Sequence, residues 1–241
     1  MKKKCAVFTF IQNGHEYFKI WYRYYSRFFD PQDIYVLDLG STDGCLDGRP
    51  CNVVSIAARP VIPEGNLMIN QFKTTLLADY QYVIYVDYDE ILYHPLGLDK
   101  YIDVLDRLDI PYVTASGYDI VHRPKVEPPF DFSKTILSQR GYWRRVGEYD
   151  KSLITSKDFH WDMGCHTVTN HPPMYYAREL LLLHYHKLDY AYVEALNTHL
   201  RNIKSPLGGG SQLIGKELFH WWEGGNPVYA IPKEIREADF V

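Results

Sequence analysis

Cysteine is scarce in this chain, and the few there are do not pair in sequence. Cys5, Cys45, Cys51 and Cys165 are the four in 241 residues, and none makes a C-x-x-C. A chain of this length needs no disulfide staple, so they read as reduced thiols and set the expectation of a cytoplasmic protein. Cys45 and Cys51 would be the pair to bridge after export. Against export, "MKKK" is basic but the apolar run "CAVFTFI" behind it is cut short by "QNGHE", which is not the pattern of a secretory signal. Long hydrophobic runs are missing too; none approaches the ~20 residues of a membrane span. The opening lysines are left as a solvated terminus or as a contact with an anionic membrane surface. An excess of positive charge is also lacking. The net charge is −4 at pH 7, so nothing marks a nucleic-acid binder. No repeat and no low-complexity segment occurs.

What remains is the composition of an ordinary globular protein, 46% hydrophobic and 23% charged, large enough for a proper core. Aromatics are plentiful, with 21 Tyr and 5 Trp. They hint at stacking surfaces for sugars or bases, though core and interface are the commoner use of such residues. The first half alternates in period. "CAVFTFI" (5–11) is a buried-strand run, followed by helical spacing at Tyr17, Trp21, Tyr24, Tyr25 and Phe28. Pro31 stops that helix. "IYVLD" (34–38) and "NVVSI" (52–56) read as strands. Ile69, Phe72, Leu76 and Tyr80 mark a helix from about Asn66, and "VIYV" (83–86) a strand. Leu98, Tyr101, Ile102, Leu105 and Leu108 mark a further helix, and "YVTAS" (112–116) a further strand. Such alternation predicts an α/β fold with a mainly parallel sheet flanked by helices.

The second half is less regular. "HRPKVEPPF" is a proline-rich loop, and "KTILSQRGYWRRVGEYDKSLI" looks like strand, turn and strand. "LLLLHYHKLDY" opens as a strand and leads into a helix through Val193, Leu196 and Leu200. "SPLGGGSQL" reads as a loop and "LFHWW" as an aromatic tail that closes over something. One domain is expected over 1–241, with an α/β half at 1–122 and an irregular cap at 123–241.

One stretch raises a question of its own. "VIYVDYDEIL" runs a buried strand straight into Asp87, Asp89 and Glu90, which repel one another. In open α/β sheets, ligands bind beyond the carboxyl ends of the strands. Asp38 ends an earlier strand, and "DLGSTDG" after it supplies a turn with Ser41, Thr42 and Asp43. A D-x-D at a strand end suits a hard divalent ion that also takes phosphate oxygens. Along an extended segment, Asp87 and Asp89 would face one side and Tyr88 the other. A lone D-x-D is more often a pair of surface turn acids, and "STDG" alone a surface turn. Their joint position at successive strand ends is what gives them weight.

Together these segments resemble a GT-A fold glycosyltransferase of family 2 or the related family 2-like enzymes. The likeness runs through "FTFIQNGHEYFKIWYRYY", "IYVLDLGSTDGC", "GNLMINQFKTTLLADYQYVIYVDYDEIL" and "TASGYDI", about half of the chain. It implies a GT-A, Rossmann-like mixed sheet. It also implies a nucleotide pocket at Thr9, Phe10, Asn13, Asp38, Ser41 and Asp43, and a metal motif on Asp87 and Asp89. "HWDMGCHTV" (160–168) and "LLLLHYH" (180–186) resemble later family segments, the second contributing a histidine to the metal shell. Strand alternation puts His184 and His186 on one face, so either could serve. His184 is favoured, directly after the leucine strand.

The implied chemistry is transfer of a sugar from a UDP- or GDP-sugar to a saccharide or lipid-linked acceptor in bacterial surface polysaccharide synthesis, in the cytoplasm or against the inner face of the membrane. Mn²⁺ or Mg²⁺ would neutralise the diphosphate. Lys151 is the chosen basic helper, with Arg144 and Arg145 open. Inverting transfer needs a carboxylate base; Asp162 is the choice, with Asp119 and Glu148 open. Two rivals stand beside this reading. A nucleotidyltransferase would carry a glycine-rich basic loop after the first strand, which "FTFIQNGHEYF" lacks. A non-catalytic binding module would tolerate loss of Asp87 or Asp89, and both are present.

Overall fold

In the computed structural model, which describes residues 2–56, 62–169, 175–202 and 227–237, the strand-helix alternation of the first half is realised. Strand β1 (Lys3–Ile11) lies between β2 (Ile34–Asp38) and β4 (Tyr80–Tyr85), and β2 is flanked by β3 (Asn52–Ser55), all parallel. Residues Ala6, Val7, Phe8 and Ile11 of β1 are fully enclosed, because both faces of this block are covered. Helix α1 (His15–Tyr25) buries Tyr17, Phe18, Ile20, Trp21, Tyr24 and Tyr25. Each large side chain buried there contributes roughly 1.5–3 kcal/mol. Gly14 lets α1 start close against β1; a Cβ there would fall within 2.3 Å of Ile11 Cδ1 and 2.7 Å of Phe18 Cβ.

Helix α2 runs Ile62–Asp79, earlier than the expected start near Asn66, and Tyr80 opens β4 rather than closing the helix. Helix α3 (Leu98–Arg107) buries Leu98, Tyr101, Ile102 and Leu105. Strand β5 (Glu90–Tyr93), which the sequence pattern did not reveal, follows β4 after a turn. Strand β6 (Tyr112–Ile120) extends past "YVTAS".

Beyond β4 the sheet becomes mixed. Segment 134–154 holds a one-turn helix α4 (Ile136–Gln139), then β7 (Tyr142–Arg145), a 3₁₀ turn Gly147–Tyr149 and β8 (Lys151–Thr155). Strand β8 sits between β4 and β6, antiparallel to both. β9 (His160–Trp161) and β10 (Val168–Thr169) form a small hairpin. β11 (Tyr176–His184) pairs in parallel with β6 and antiparallel with β5, and β12 (Val228–Ala230) with β7. Helix α5 (Tyr190–Asn202) follows. The result is the expected α/β class: a mixed sheet with a parallel block, flanking helices and an irregular C-terminal part. The expected loop "SPLGGGSQL" and tail "LFHWW" lie outside the described residues. Among the described residues, no helix is long and apolar enough to cross a membrane.

Candidate functional site

Two loops leave the carboxyl ends of β1 and β2 side by side. They are fastened by side chain to backbone hydrogen bonds. Asn13 N–H donates to Ser41 Oγ at 2.9 Å, and Thr42 N–H donates to Asn13 Oδ1 at 2.7 Å. His15 N–H donates to Asp43 Oδ2 at 2.6 Å, and Ser41 N–H donates to Asp38 Oδ1 at 2.9 Å. Asn13 and His15 hold positive φ, +54° and +48°, so the first loop is bent tightly to meet the second. Asn13, Asp38, Ser41 and Asp43 are thus brought together as one clasp. A cavity of about 310 Å³ opens beside it, lined by Ser41, Thr42, Gly44, Cys45, Leu46 and Asp47. Phe10 is half-buried. Thr9 departs from the expected nucleotide contact. Its side chain is fully enclosed, with its hydroxyl unpartnered, so it touches no ligand without rearrangement.

The acids after β4 form a second group. They are not extended. Glu90 N–H donates to the Asp87 carbonyl at 3.0 Å, closing a turn, so the two aspartates do not follow strand alternation and go to different partners. Asp87 accepts from Lys151 Nζ at 2.7 Å and from the Tyr85 hydroxyl at 2.5 Å. Lys151 also donates to buried Glu90 at 2.7 Å. Asp89 Oδ2 lies 3.3 Å from His184 Nε2 and 3.3 Å from His186 Nδ1. On its other side, His184 Nδ1 lies 3.0 Å from Asp119 Oδ1, and Asp119 also accepts from Lys187 Nζ at 2.5 Å.

Backbone register explains the convergence. His184 on β11 faces Glu90 on β5 and Asp119 on β6. The tyrosines of α1 pin the same backbone: Tyr24 Oη donates to Leu92 O, Leu92 N–H donates to Tyr25 Oη, and Tyr17 Oη donates to His186 O. Tyr185 Oη donates to Tyr88 O at 2.8 Å. The aromatic stripe is therefore core on one side and scaffold for the acids on the other.

Electrostatics follow from burial and pairing. For His184, burial opposes the charge, but Asp89 and Asp119 overcome it and raise the imidazole to about 10. Burial would raise Asp89; the two histidines instead hold it well below the usual carboxylate range. Lys151 is raised well above its ordinary value despite burial, because it has two acids. Glu90 is raised to about 7, burial first and Asp87 adding to it against Lys151. The two partners differ because Lys151 gains two anions, while Glu90 shares its one cation with a like charge.

The donors suit a divalent ion in kind. Asp89 oxygen with the imidazoles of His184 and His186 is a set that Mn²⁺ accepts. Asp119 behind His184 is the outer carboxylate that orients a ligating histidine. As they stand these groups are engaged with one another, and among the described residues no group of three or more His, Cys, Asp or Glu is arranged to hold a metal ion.

Asp162 sits in the turn between β9 and β10. Its two oxygens accept from Thr167 N–H at 2.9 Å and Thr167 Oγ1 at 2.6 Å, the geometry of an acid that closes its own turn. Of the alternatives for the base, Glu148 is exposed, and Asp119 is enclosed and ion-paired. Sequence reading had no signal for Tyr149, whose ring lies 4.8 Å from that of His184, nor for the outer role of Asp119 and Lys187. Their neighbours are far away in the chain.

The fold and site together define an α/β protein with a polar clasp and an acid–imidazole cluster at one end of its strands. No protein-family model matches the chain, and no curated protein matches it. Solved structures with a similar course of chain include glucosyl-3-phosphoglycerate synthase from Mycobacterium tuberculosis, crystallised with Mn²⁺, UDP and glucosyl-3-phosphoglycerate. It is 12% identical, over 86% of this chain and 82% of that one, with a TM-score of 0.41. Mannose-1-phosphate geranyltransferase from Thermus thermophilus is 11% identical over 65% of this chain and 50% of that one, at 0.31. UDP-glucose pyrophosphorylase, complexed with UDP-glucose, is 8% identical over 76% and 74%, at 0.30. Likeness this shallow assigns no activity.

Proposed function

We propose that the protein is a metal-dependent glycosyltransferase of GT-A type, moving a sugar from a UDP- or GDP-sugar to a saccharide or lipid-linked acceptor. The observation that carries the reading is the convergence of Asp87, Asp89, Lys151, His184 and His186, from three distant segments, beside a clasp of strand-end loops. In this reading the clasp holds the nucleoside through Asp38, Asn13 and Ser41. Asp89, with His186 and with His184 once a metal displaces its Nε2 proton, would hold Mn²⁺ or Mg²⁺, which when bound neutralises the diphosphate leaving group. Lys151 adds a fixed positive charge at Asp87, and Asp119 keeps His184 turned toward Asp89. Surface polysaccharide synthesis at the inner face of a membrane is the setting that agrees with this chemistry.

The test is a thermal-shift titration with UDP and GDP, with and without Mn²⁺. A metal-dependent rise in melting temperature is expected in the parent and is expected to be lost in Asp89→Asn. Triphosphates stabilising better than diphosphates would point to a nucleotidyltransferase. No response to any nucleotide would point to a binding module.

A further inference from the structure

The 3₁₀ turn between β7 and β8 is pressed onto β6 at Gly117. A Cβ on Gly117 would lie 2.5 Å from the backbone carbon and oxygen and the Cβ of Tyr149, so no other residue admits this approach. The contact is fastened from both sides. Gly117 N–H donates to Asp150 Oδ1 at 2.8 Å, and Val146 N–H donates to Gly117 O at 3.0 Å. Asp150 Oδ2 accepts from Arg145 Nη2 at 2.7 Å and from the Tyr176 hydroxyl at 2.6 Å. Gly117 lies two residues before Asp119 on β6, and the partner of Asp119 across the ladder is His184. The clamp therefore tips the half-buried ring of Tyr149 over the His184 imidazole, 4.8 Å between centroids at 58°.

Around that ring are the charges of the site: Asp119, Asp89, Glu90 and Lys151 all act on the phenol. Among the described residues its hydroxyl has no hydrogen-bond partner. A phenol hydroxyl with no partner among these residues, on a ring packed against His184, is available to a ligand. In the proposed reading, diphosphate oxygens would be met by the divalent ion held at Asp89 and by the charge of Lys151. A neutral phenol beside an aromatic face suits a sugar ring instead, whose hydroxyls take a hydrogen bond and whose C–H face packs on rings.

We propose that Tyr149 contacts the transferred sugar of the nucleotide-sugar donor, and that Gly117 and Asp150 are positioning residues that set it there. This rests on the glycosyltransferase reading above.

The test is calorimetric titration of the parent and Tyr149→Phe, with Mn²⁺ present, using UDP against UDP-glucose and GDP against GDP-mannose. For the pair the parent binds more tightly, Tyr149→Phe is expected to weaken the nucleotide sugar about tenfold, as one lost hydrogen bond does. The bare diphosphate should stay within about twofold. Gly117→Ala should give the same selective loss, and should add less than about twofold in the Tyr149→Phe background, because both act through one contact. If Gly117→Ala does not fold, Asp150→Asn loosens the same turn and replaces it. Unchanged sugar-nucleotide affinity in Tyr149→Phe overturns the proposal, as does an equal loss for the bare diphosphate. A parent that binds neither nucleotides nor nucleotide sugars is a different failure. It removes the glycosyltransferase reading and this contact with it.

Discussion

The two halves of the candidate site are built on opposite principles. The clasp between the β1 and β2 loops is made of short polar side chains that receive backbone N–H groups: Asn13, Asp38, Ser41 and Asp43. Each bond is short-ranged and partly hydrated, worth about 1 kcal/mol net. The cluster after β4 is made of full charges withdrawn from water. Lys151, Glu90, Asp119, His184 and Lys187 are enclosed or nearly so. Buried ions add little net stability when complete, but losing one partner leaves the other charged and unsolvated. The clasp should therefore tolerate piecemeal change, and the cluster should not. In the proposed reading, the rigid cluster is where charge is handled and the forgiving clasp is where the nucleoside is gripped.

Lys151→Met is the harshest test of that contrast. It leaves Glu90 buried beside Asp87 with no cation. Asp87 keeps part of its hydration, its side chain being 38% exposed, so the loss should sit near the lower end for a broken buried pair, about 3 kcal/mol. Urea denaturation measures it. A loss no larger than that of a clasp variant would erase the distinction between the two regions. Asp162→Ala comes next. As an acid that closes a turn through Thr167, it should lower stability by about 1 kcal/mol and leave turnover nearly unchanged. A fall in kcat of about 100-fold or more, with stability held, would instead restore Asp162 as the proton acceptor. Asn13→Ala should have the smallest effect on the fold, under about 1 kcal/mol, because water replaces Asn13 Oδ1 at the exposed Thr42 N–H. Its effect should be on KM for the nucleotide sugar, with kcat roughly held. A fall in kcat with KM unchanged would join the clasp to the chemistry and blur the comparison from the other side.

The same contrast separates what could be read in advance from what could not. Asp38, Ser41 and Asp43 follow an apolar run that ends in a polar turn, so they were legible together, whereas Asn13 was indicated only by the family resemblance and its bonds to the second loop were not legible. The D-x-D was legible as a pair of acids, but its conformation was not. Strand alternation suggested one shared face, whereas the chain turns at Asp87–Glu90 to start β5 and sends the two carboxylates to separate partners. Thr9 was legible as a strand residue near the site, but its full enclosure depends on what packs over β1. The spacing of Tyr17, Trp21, Tyr24 and Tyr25 predicted a buried helix face. It could not foretell that their hydroxyls would hold Leu92 and His186 in place.

By itself the sequence determined the alternating first half, the parallel block it forms, the carboxyl-end location of the acids and the polar turn after β2. These depend on hydrophobic period and on turn residues a few positions apart, which act before any long-range contact forms. The tertiary structure alone decided which charge meets which. Lys151 reaches Asp87 across 64 residues and His184 reaches Asp119 across 65. Those pairings follow from the antiparallel insertion of β8 between β4 and β6, and from the register of β11 against β5 and β6. A side chain's charge is written in the chain, but its partner is chosen by strand order, because Coulomb attraction and desolvation depend on distance and burial rather than on separation along the sequence.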